Sequence, residues 1–218
     1  MRHAFRRMVF VHVPKTAGTT LRSELGKRFR EDMILDYGLA SAATSPVVRQ
    51  HLEAGDRTGL CAALARRERF LLFGHIRAAN YRDLLPFADF VTFLRDPFDR
   101  AVSEFGHFVR YYGYDRPFHQ FIDAPHFRNR QSALVEGVPV EDYSFIGFQE
   151  SYDADVRRLA PDMRFGPQRQ NVGDYARVDK LELWDKHGSH FRSVNARDYA
   201  LLARARAIHG GSGTGGGS

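Results

Sequence analysis

The sequence predicts an α/β fold, a P-loop-like parallel sheet flanked by helices. Three observations carry that expectation. Four short apolar runs, Met8 to Val13, Phe70 to Phe73, Phe90 to Leu94 and Ser144 to Phe148, alternate with longer stretches of helical periodicity. Continuous apolar strands interleaved with helices are the pattern of a parallel sheet covered on both faces. The first run passes through a loop of small residues with one lysine into a helical pattern, and the third ends on a helix-start signal, Asp96-Pro97.

Along the chain, the first run leads into His12-Val13-Pro14-Lys15-Thr16-Ala17-Gly18-Thr19-Thr20, after which Leu21, Leu25 and Phe29 share one helical face. A strand that turns through such a loop into a helix N-terminus is a phosphate cradle. The loop lacks the first glycine of G-x-x-x-x-G-K-[ST] and its lysine precedes the glycine, so it is not a Walker A sequence. Residues Gly38 to Gly59 are rich in Ala, Ser, Thr and Gly, with a helix expected around Val47 to Ala54. The second run ends in Gly74-His75-Ile76-Arg77. After the third, Asp96 is the expected N-cap with Pro97 at N1, and Phe98, Ala101, Val102, Phe105 and Val109 repeat at helical spacing. Tyr111 to Phe127 mixes aromatic and polar residues without a clean period, as a loop-rich cap or a binding wall would. Asn195 to Ile208 reads as a closing helix through Tyr199, Leu202 and Ala203. The Gly/Ser tract 210–218 reads as a flexible appended linker, which leaves residues 1–209 as one expected domain.

Composition narrows the class. A 43% hydrophobic content with 18 Phe supports a packed globule. The lone Cys61 excludes an internal disulfide framework, fits a reducing compartment and reads as a buried small side chain. No apolar run reaches the ~20 residues of a membrane span, and the charged start meets the first strand too soon for a signal peptide, so a cytoplasmic protein is expected. The net charge of +6 favours polyanionic partners, although arginines scattered along the whole chain are mostly solvated surface.

In a parallel α/β sheet, ligands bind beyond the carboxyl ends of the strands. Lys15, His75 and Arg95, each following a different run, are therefore expected at one edge. Individually each has an ordinary reading. Lys15 could be solvated, His75 could pack, Arg95 could pair with Asp96 or Asp99, and Ser103 could bond back to a helix carbonyl. It is their combination at one edge, with a basic chain whose polyanionic partner could be nucleic acid, acidic polysaccharide or a multiply charged nucleotide, that points to a site.

Read jointly, these segments resemble the carbohydrate sulfotransferases of the heparan 2-O type and their bacterial relatives. Those enzymes take a sulfuryl group from 3'-phosphoadenosine 5'-phosphosulfate (PAPS) and release adenosine 3',5'-bisphosphate (PAP). HVPKTAGTT is similar to their 5'-phosphosulfate loop, which implies Lys15, Thr16, Ala17, Gly18, Thr19 and Thr20 as donor-binding residues. FLRDPFDRAVSEF, Phe93 to Phe105, resembles their 3'-phosphate element, implying Arg95 and Ser103 on that phosphate. Phe73-Gly74-His75 resembles their Gly-His step, which implies His75 as catalytic base beside Lys15. Where the heparan 2-O enzymes carry a second histidine, this chain has Phe73. Asn129 to Gly137 and Ile146 to Leu159 are also similar, less specifically, and Gln168 to Gly173 falls where the family closes a loop over the nucleotide, with Arg169 or Asn171 as its expected contact. The implied partners are the nucleotide donor and a saccharide hydroxyl, with no nucleic acid, no metal and no membrane span.

The chemistry agrees with these residue types. A loose transfer transition state is served by positioning and charge stabilisation, which Lys15 and loop amides can supply as charge builds on the leaving group. An imidazole suits proton removal from a hydroxyl near neutral pH. If His75 is not the base, a carboxylate near the first helix, Glu24 or Asp36, is next in line. A P-loop kinase is the closest rival enzyme; it would need a Mg²⁺ site, and Asp96 reads better as a helix cap. A non-catalytic polyanion binder is the second rival, suggested by charge and by Tyr111, Tyr112 and Tyr114. His187 and His190 have ligand-like spacing without a partner motif and read as surface histidines.

Overall fold

The computed structural model describes residues 5–161 and 180–210. Five strands, β1 (Arg7–Val11), β2 (Met33–Asp36), β3 (Phe70–Gly74), β4 (Asp89–Leu94) and β5 (Phe145–Phe148), form one parallel sheet in the order β2-β3-β1-β4-β5. The four apolar runs are strands, each buried because helices cover both faces. The sequence reading missed β2. Its apolar run, Met33-Ile34-Leu35, is only three residues long and follows a 3₁₀ turn directly at the sheet edge, too short to stand out.

On one face, Leu21, Leu25 and Phe29 of α1 (Gly18–Phe29) and Tyr152, Val156 and Leu159 of α7 (Tyr152–Leu159) pack on Phe10, Phe73 and Phe93. On the other, Val9, Val11, Leu72 and Phe90 meet α2 (Pro46–Glu53), α3 (Arg57–Ala65), α6 (Arg130–Val135) and α9 (Ala196–His209). The helix expected at Val47 to Ala54 is α2, starting one residue earlier on Pro46, a good N1 residue. Helix α3 was not foreseen; Asp56 caps it by accepting from the Gly59 N–H at 2.7 Å.

Helix α4 (Pro97–Tyr112) begins as expected: the Asp96 carboxylate accepts from the Phe98 and Asp99 N–H groups at 2.9 and 3.0 Å, with Pro97 at N1. It ends where Gly113 turns left-handed at φ 63°. The aperiodic stretch after it is a packed cap. There α5 (Phe118–Asp123) and α8 (Lys180–Val194) bury Phe118, Phe121, Phe127 and Phe191 against Phe98 and Ala101. Tyr111 and Tyr112 stay outside this cluster, 63% and 70% exposed. Helix α9 closes the chain over the expected span.

Cys61 is buried with its thiol pushed up to about 11 by desolvation, consistent with packing and not nucleophilic use. His190 is exposed and bonded to Asp123 at 2.7 Å. Among the described residues no helix is long and apolar enough to cross a membrane, and no group of three or more His, Cys, Asp or Glu side chains is placed to hold a metal ion.

Candidate active site

The chain winds from β1 to β2 and β3 on one side, then crosses to β4 and β5 on the other. The loops after β1 and β4 therefore flank the crevice where winding reverses, the place where open parallel sheets bind ligands. The loop after β3 lies on the other side of β1. Lys15, His75 and Arg95 thus leave three adjacent strands at one sheet edge.

The β1 loop is held in an uncommon backbone. Lys15 and Ala17 are left-handed, at φ 70° and 69°, a conformation that costs a non-glycine residue of order 1–3 kcal/mol. Strain of this kind gathers at functional sites, and turns of this kind point successive N–H groups into one concavity, an anion nest. Thr16, buried, donates its hydroxyl to the Val13 carbonyl at 2.8 Å and closes the turn. Gly18, buried at the start of α1, is required sterically: a Cβ there would stand 1.7 Å from His12 Nε2. Thr19 is exposed and Thr20 half-buried at the helix start. The first turn of α1 contains no acidic residue that would compete with a bound anion.

Arg95 makes no close ion pair with Asp96 or Asp99, although both, with Glu150, support its charge against burial. It spans the crevice and donates from Nη1 to the Lys15 carbonyl at 3.2 Å, fastening the β4 element to the β1 loop. Asp99 is instead bridged by Lys180 at 2.5 Å. The Arg95 backbone is gripped from both sides by the Gln131 amide, which accepts from its N–H at 3.0 Å and donates to its carbonyl at 2.9 Å. Gln131 is placed in turn by α6, whose first N–H groups, at Gln131 and Ser132, bond the buried Asp198 carboxylate of α9 at 3.2 and 2.7 Å. Arg95 Nε is buried without a partner. Ser103 is half-buried, two turns along α4 from Asp96.

The same stripe of α4 carries Arg100 and Glu104, an i,i+4 ion pair at 2.6 Å with both side chains buried. Glu104 also acts electrostatically on Lys15, Arg130, His75 and His107. Burial lowers the Lys15 ammonium pKa; Glu104 opposes this, while Arg95 and Arg100 add to it. Arg130 is lowered by burial in the same way, and its Nε, like that of Arg100, is buried and unpaired. Three cations, Lys15, Arg100 and Arg130, thus gather around the buried Glu104 carboxylate, with guanidinium N–H groups to spare. That surplus is what a multiply charged anion would complete.

His75 lies beside the loop with its ring 4.8 Å from that of His12 and 4.8 Å from that of Tyr37, which meets it edge-on. It keeps an exposed edge, yet its surroundings hold its pKa down to about 4: burial first, then Arg130, with Glu104 opposing. At neutral pH it is an uncharged imidazole able to accept a proton. His12 lies deeper, with Nδ1 buried and unpartnered, and is lowered to about 3 by burial, then by His75 and Arg22. Just after β1, the His12 ring stands 5.1 Å from that of Phe73. The two reserve carboxylates are engaged elsewhere: Asp36 accepts from Tyr81 Oη at 2.5 Å and from the Gly38 N–H at 3.0 Å, and Glu24 pairs with Lys27 at 2.6 Å.

His12, Glu104, Arg130 and Gln131 escaped the sequence reading. Each reaches the site through packing between distant segments, which no local pattern marks. The expected nucleotide-closing segment Gln168 to Gly173, with Arg169 and Asn171, lies outside the described residues.

No family model and no curated protein matches the chain. Among solved structures it is similar to a sulfotransferase from Alicyclobacillus acidocaldarius, at 15% identity and a TM-score of 0.51 over 95% of this chain and 97% of that one. It is also similar to mouse sulfotransferase SULT7A1 complexed with PAP (10% identity, TM-score 0.49, 93% and 89% covered) and to retinol dehydratase in complex with retinol and PAP (19%, 0.39, 89% and 70%). At these identities the likeness is one of fold, carried by the first match, which spans nearly all of both chains.

Proposed function

We propose that the protein is a PAPS-dependent sulfotransferase that moves a sulfuryl group to an acceptor hydroxyl, on a saccharide, in a reducing cytoplasmic compartment and without a metal. The observation that carries this reading is the joined pair of anion elements: the strained β1 loop and the β4–α4 element, fastened together by Arg95 Nη1 on the Lys15 carbonyl. One cradle would serve a simple phosphate. Two, set across the reversal of the sheet, suit a nucleotide charged at both ends of its ribose.

In this reading Lys15, Thr16, Ala17, Gly18, Thr19 and Thr20 hold the 5'-phosphosulfate, and Arg95 with Ser103 holds the 3'-phosphate. The buried, unpaired Nε of Arg95 and the three cations around the single Glu104 carboxylate fit such a ligand. Bound there, PAPS supplies the activated sulfuryl group. Lys15 neutralises charge on the leaving phosphate, and its partly desolvated ammonium makes that contact stronger than in water. His75 accepts the proton of the attacking hydroxyl, its neutral state at pH 7 leaving it free to do so. The saccharide acceptor and the bacterial-type assignment rest on the similarity of HVPKTAGTT and FLRDPFDRAVSEF to the carbohydrate enzymes. The compartment rests on the single buried cysteine.

The test is turnover of labelled PAPS with a panel of saccharide acceptors, in wild type and His75→Ala. Removing a general base typically costs about 10²–10⁴ in rate, so the variant should lose most turnover while folding and binding PAP normally. Near-normal turnover in a well-folded His75→Ala protein eliminates this base. Transfer to none of the saccharides, alongside transfer to a phenol or alcohol, moves the acceptor class.

A further inference from the structure

Three adjacent strands end level with one another, and the residue that follows each carries a ring. In the ladders of the sheet, Asp36 of β2 and Val11 of β1 both pair with Gly74 of β3. The next residues, Tyr37, His12 and His75, therefore leave the sheet edge at one height, where level residues of neighbouring strands point to the same face. On the β1 side the ladder continues one step, as the His12 N–H donates to the Gly74 carbonyl at 2.8 Å. The β2 side leaves no room for a side chain on Gly74, where a Cβ would stand 1.7 Å from the Asp36 carbonyl oxygen. His75 sits in the corner that the other two rings make. Its ring centroid is 4.8 Å from each, with Tyr37 edge-on at 81° and His12 tilted at 44°, and the two neighbours are 6.3 Å apart.

A histidine base is ordinarily aimed by a third group that hydrogen-bonds its other ring nitrogen. Among the described residues no hydrogen bond or ion pair holds the His75 ring, and the two ring contacts are what fix it. Tyr37, in turn, is braced. Its N–H donates to Thr44 Oγ1 at 3.1 Å, and that hydroxyl donates to the Gly38 carbonyl at 2.7 Å. Gly38 turns left-handed at φ 79° and donates its N–H to Asp36 Oδ1 at 3.0 Å. The loop is closed at its far end, where the Ser45 N–H donates to the Leu35 carbonyl at 2.9 Å and the Leu35 N–H to Ser45 Oγ at 2.8 Å. From α1, the Arg22 guanidinium stands over the Tyr37 ring at 5.5 Å. Yet that ring is only half-buried at the margin of the core, so bracing of this extent is more than core filling asks for.

We infer that Tyr37 is a positioning residue of the transfer step: braced by the loop 36–45, its ring holds the His75 imidazole at the angle at which that imidazole takes the acceptor's proton. This rests on the sulfuryl-transfer reading above. The ring contact stands in for the carboxylate or carbonyl that would otherwise aim the base. The Tyr37 hydroxyl takes no part in the reaction, so the effect belongs to the ring.

Tyr37→Leu removes the ring and Tyr37→Phe keeps it. In Tyr37→Leu, kcat should fall at least tenfold, since a misplacement of about 1 Å can cost about 10²-fold, while PAP affinity and the KM for the acceptor change little. Tyr37→Phe should recover most of the rate. The pH profile separates aiming from plain packing. Burial holds the His75 pKa near 4, and removing the ring admits water to the imidazole, so the acid limb of kcat/KM should move up toward the ordinary 6.5 in Tyr37→Leu and stay near its wild-type position in Tyr37→Phe. The other groups that face His75, namely His12 of the β1 edge, Arg130 of α6 and Glu104 of α4, with Arg22 of α1 beyond Tyr37, are the same in both variants. Should Tyr37→Leu fail to fold, Thr44→Val removes the two bonds of the Thr44 hydroxyl while leaving the ring in place, and must lower kcat in the same direction with PAP binding intact. A kcat within threefold of wild type in Tyr37→Leu, an equal loss in Tyr37→Phe, or a raised acceptor KM with kcat unchanged overturns the inference. Failure of the sulfuryl-transfer reading is recognised separately, since wild type would then show no PAP binding and no PAPS turnover before any substitution.

Discussion

Replacing Gln131 by leucine tests whether the site is built from behind. Gln131 is fully buried, and its amide makes two hydrogen bonds with one residue, accepting from the Arg95 N–H at 3.0 Å and donating to the Arg95 carbonyl at 2.9 Å. Leucine fills nearly the same volume, so the cavity cost is small and the loss is polar. Each stranded backbone group costs about 1–3 kcal/mol. Arg95 is only partly buried, so water can recover some of this, and about 2–4 kcal/mol should remain. For a chain of this size each kcal/mol moves the melting temperature by about 2–4 °C, which gives a fall of roughly 5–15 °C. The same change frees the Arg95 backbone and with it the Nη1 contact to the Lys15 carbonyl. PAP affinity should therefore drop at least tenfold, about 1.4 kcal/mol. Thermal melting and PAP titration of the purified variant measure both. A melting temperature within about 2 °C of wild type, with PAP affinity unchanged, would refute the claim that Gln131 positions Arg95.

Other outcomes follow from the same geometry. Gly18→Ala would place a Cβ 1.7 Å from His12 Nε2; an overpacking cost of about 1–3 kcal/mol outweighs the helix-propensity gain of up to about 1 kcal/mol. Calorimetry should show a lower melting temperature together with weaker PAP binding, and a raised melting temperature would contradict the packing described. His12 and His75 are held near 3 and 4 against an ordinary 6.5, so the unfolded chain takes up protons that the folded one refuses. Stability is full above pH 6.5 and is lost as pH falls toward 4; with the share of His75 reduced for its exposed edge, roughly 2–3 kcal/mol should go between pH 7 and 5. Urea unfolding at the two pH values measures it, and His12→Gln should make the fall shallower. A wild type equally stable at both would show that the fold does not hold these imidazoles neutral.

What could be read from the sequence was what is local. Strands β1, β3, β4 and β5 are short, mostly apolar runs, and the Asp96-Pro97 start of α4 is written in two adjacent residues. The placement of Lys15, His75 and Arg95 on three adjacent strands at one edge follows from the rule that strand ends share a crevice. Strand β2 was not legible because its apolar run is three residues long and follows α1 through a 3₁₀ turn with no loop between. Residues that act across the fold were equally hidden. Gln131 has no local mark of its grip on Arg95, 36 positions away, nor Asp198 of its hold on α6, 66 positions away. Glu104 four residues after Arg100 is also the commonest pattern of a solvated helix face; only the packing of α4 shows that this pair is buried.

The account stands most directly on whether the two anion elements bind one nucleotide. Thermal melting in a chelator, without Mg²⁺, should show clear stabilisation by PAP, about 2.7 kcal/mol at a hundredfold excess over its dissociation constant. Arg95→Ala should lose most of that while keeping its response to the 5'-phosphate nucleotide that lacks the 3'-phosphate. No stabilisation by millimolar PAP, with a clear shift on adding Mg-ATP, would contradict the account and favour a phosphotransferase.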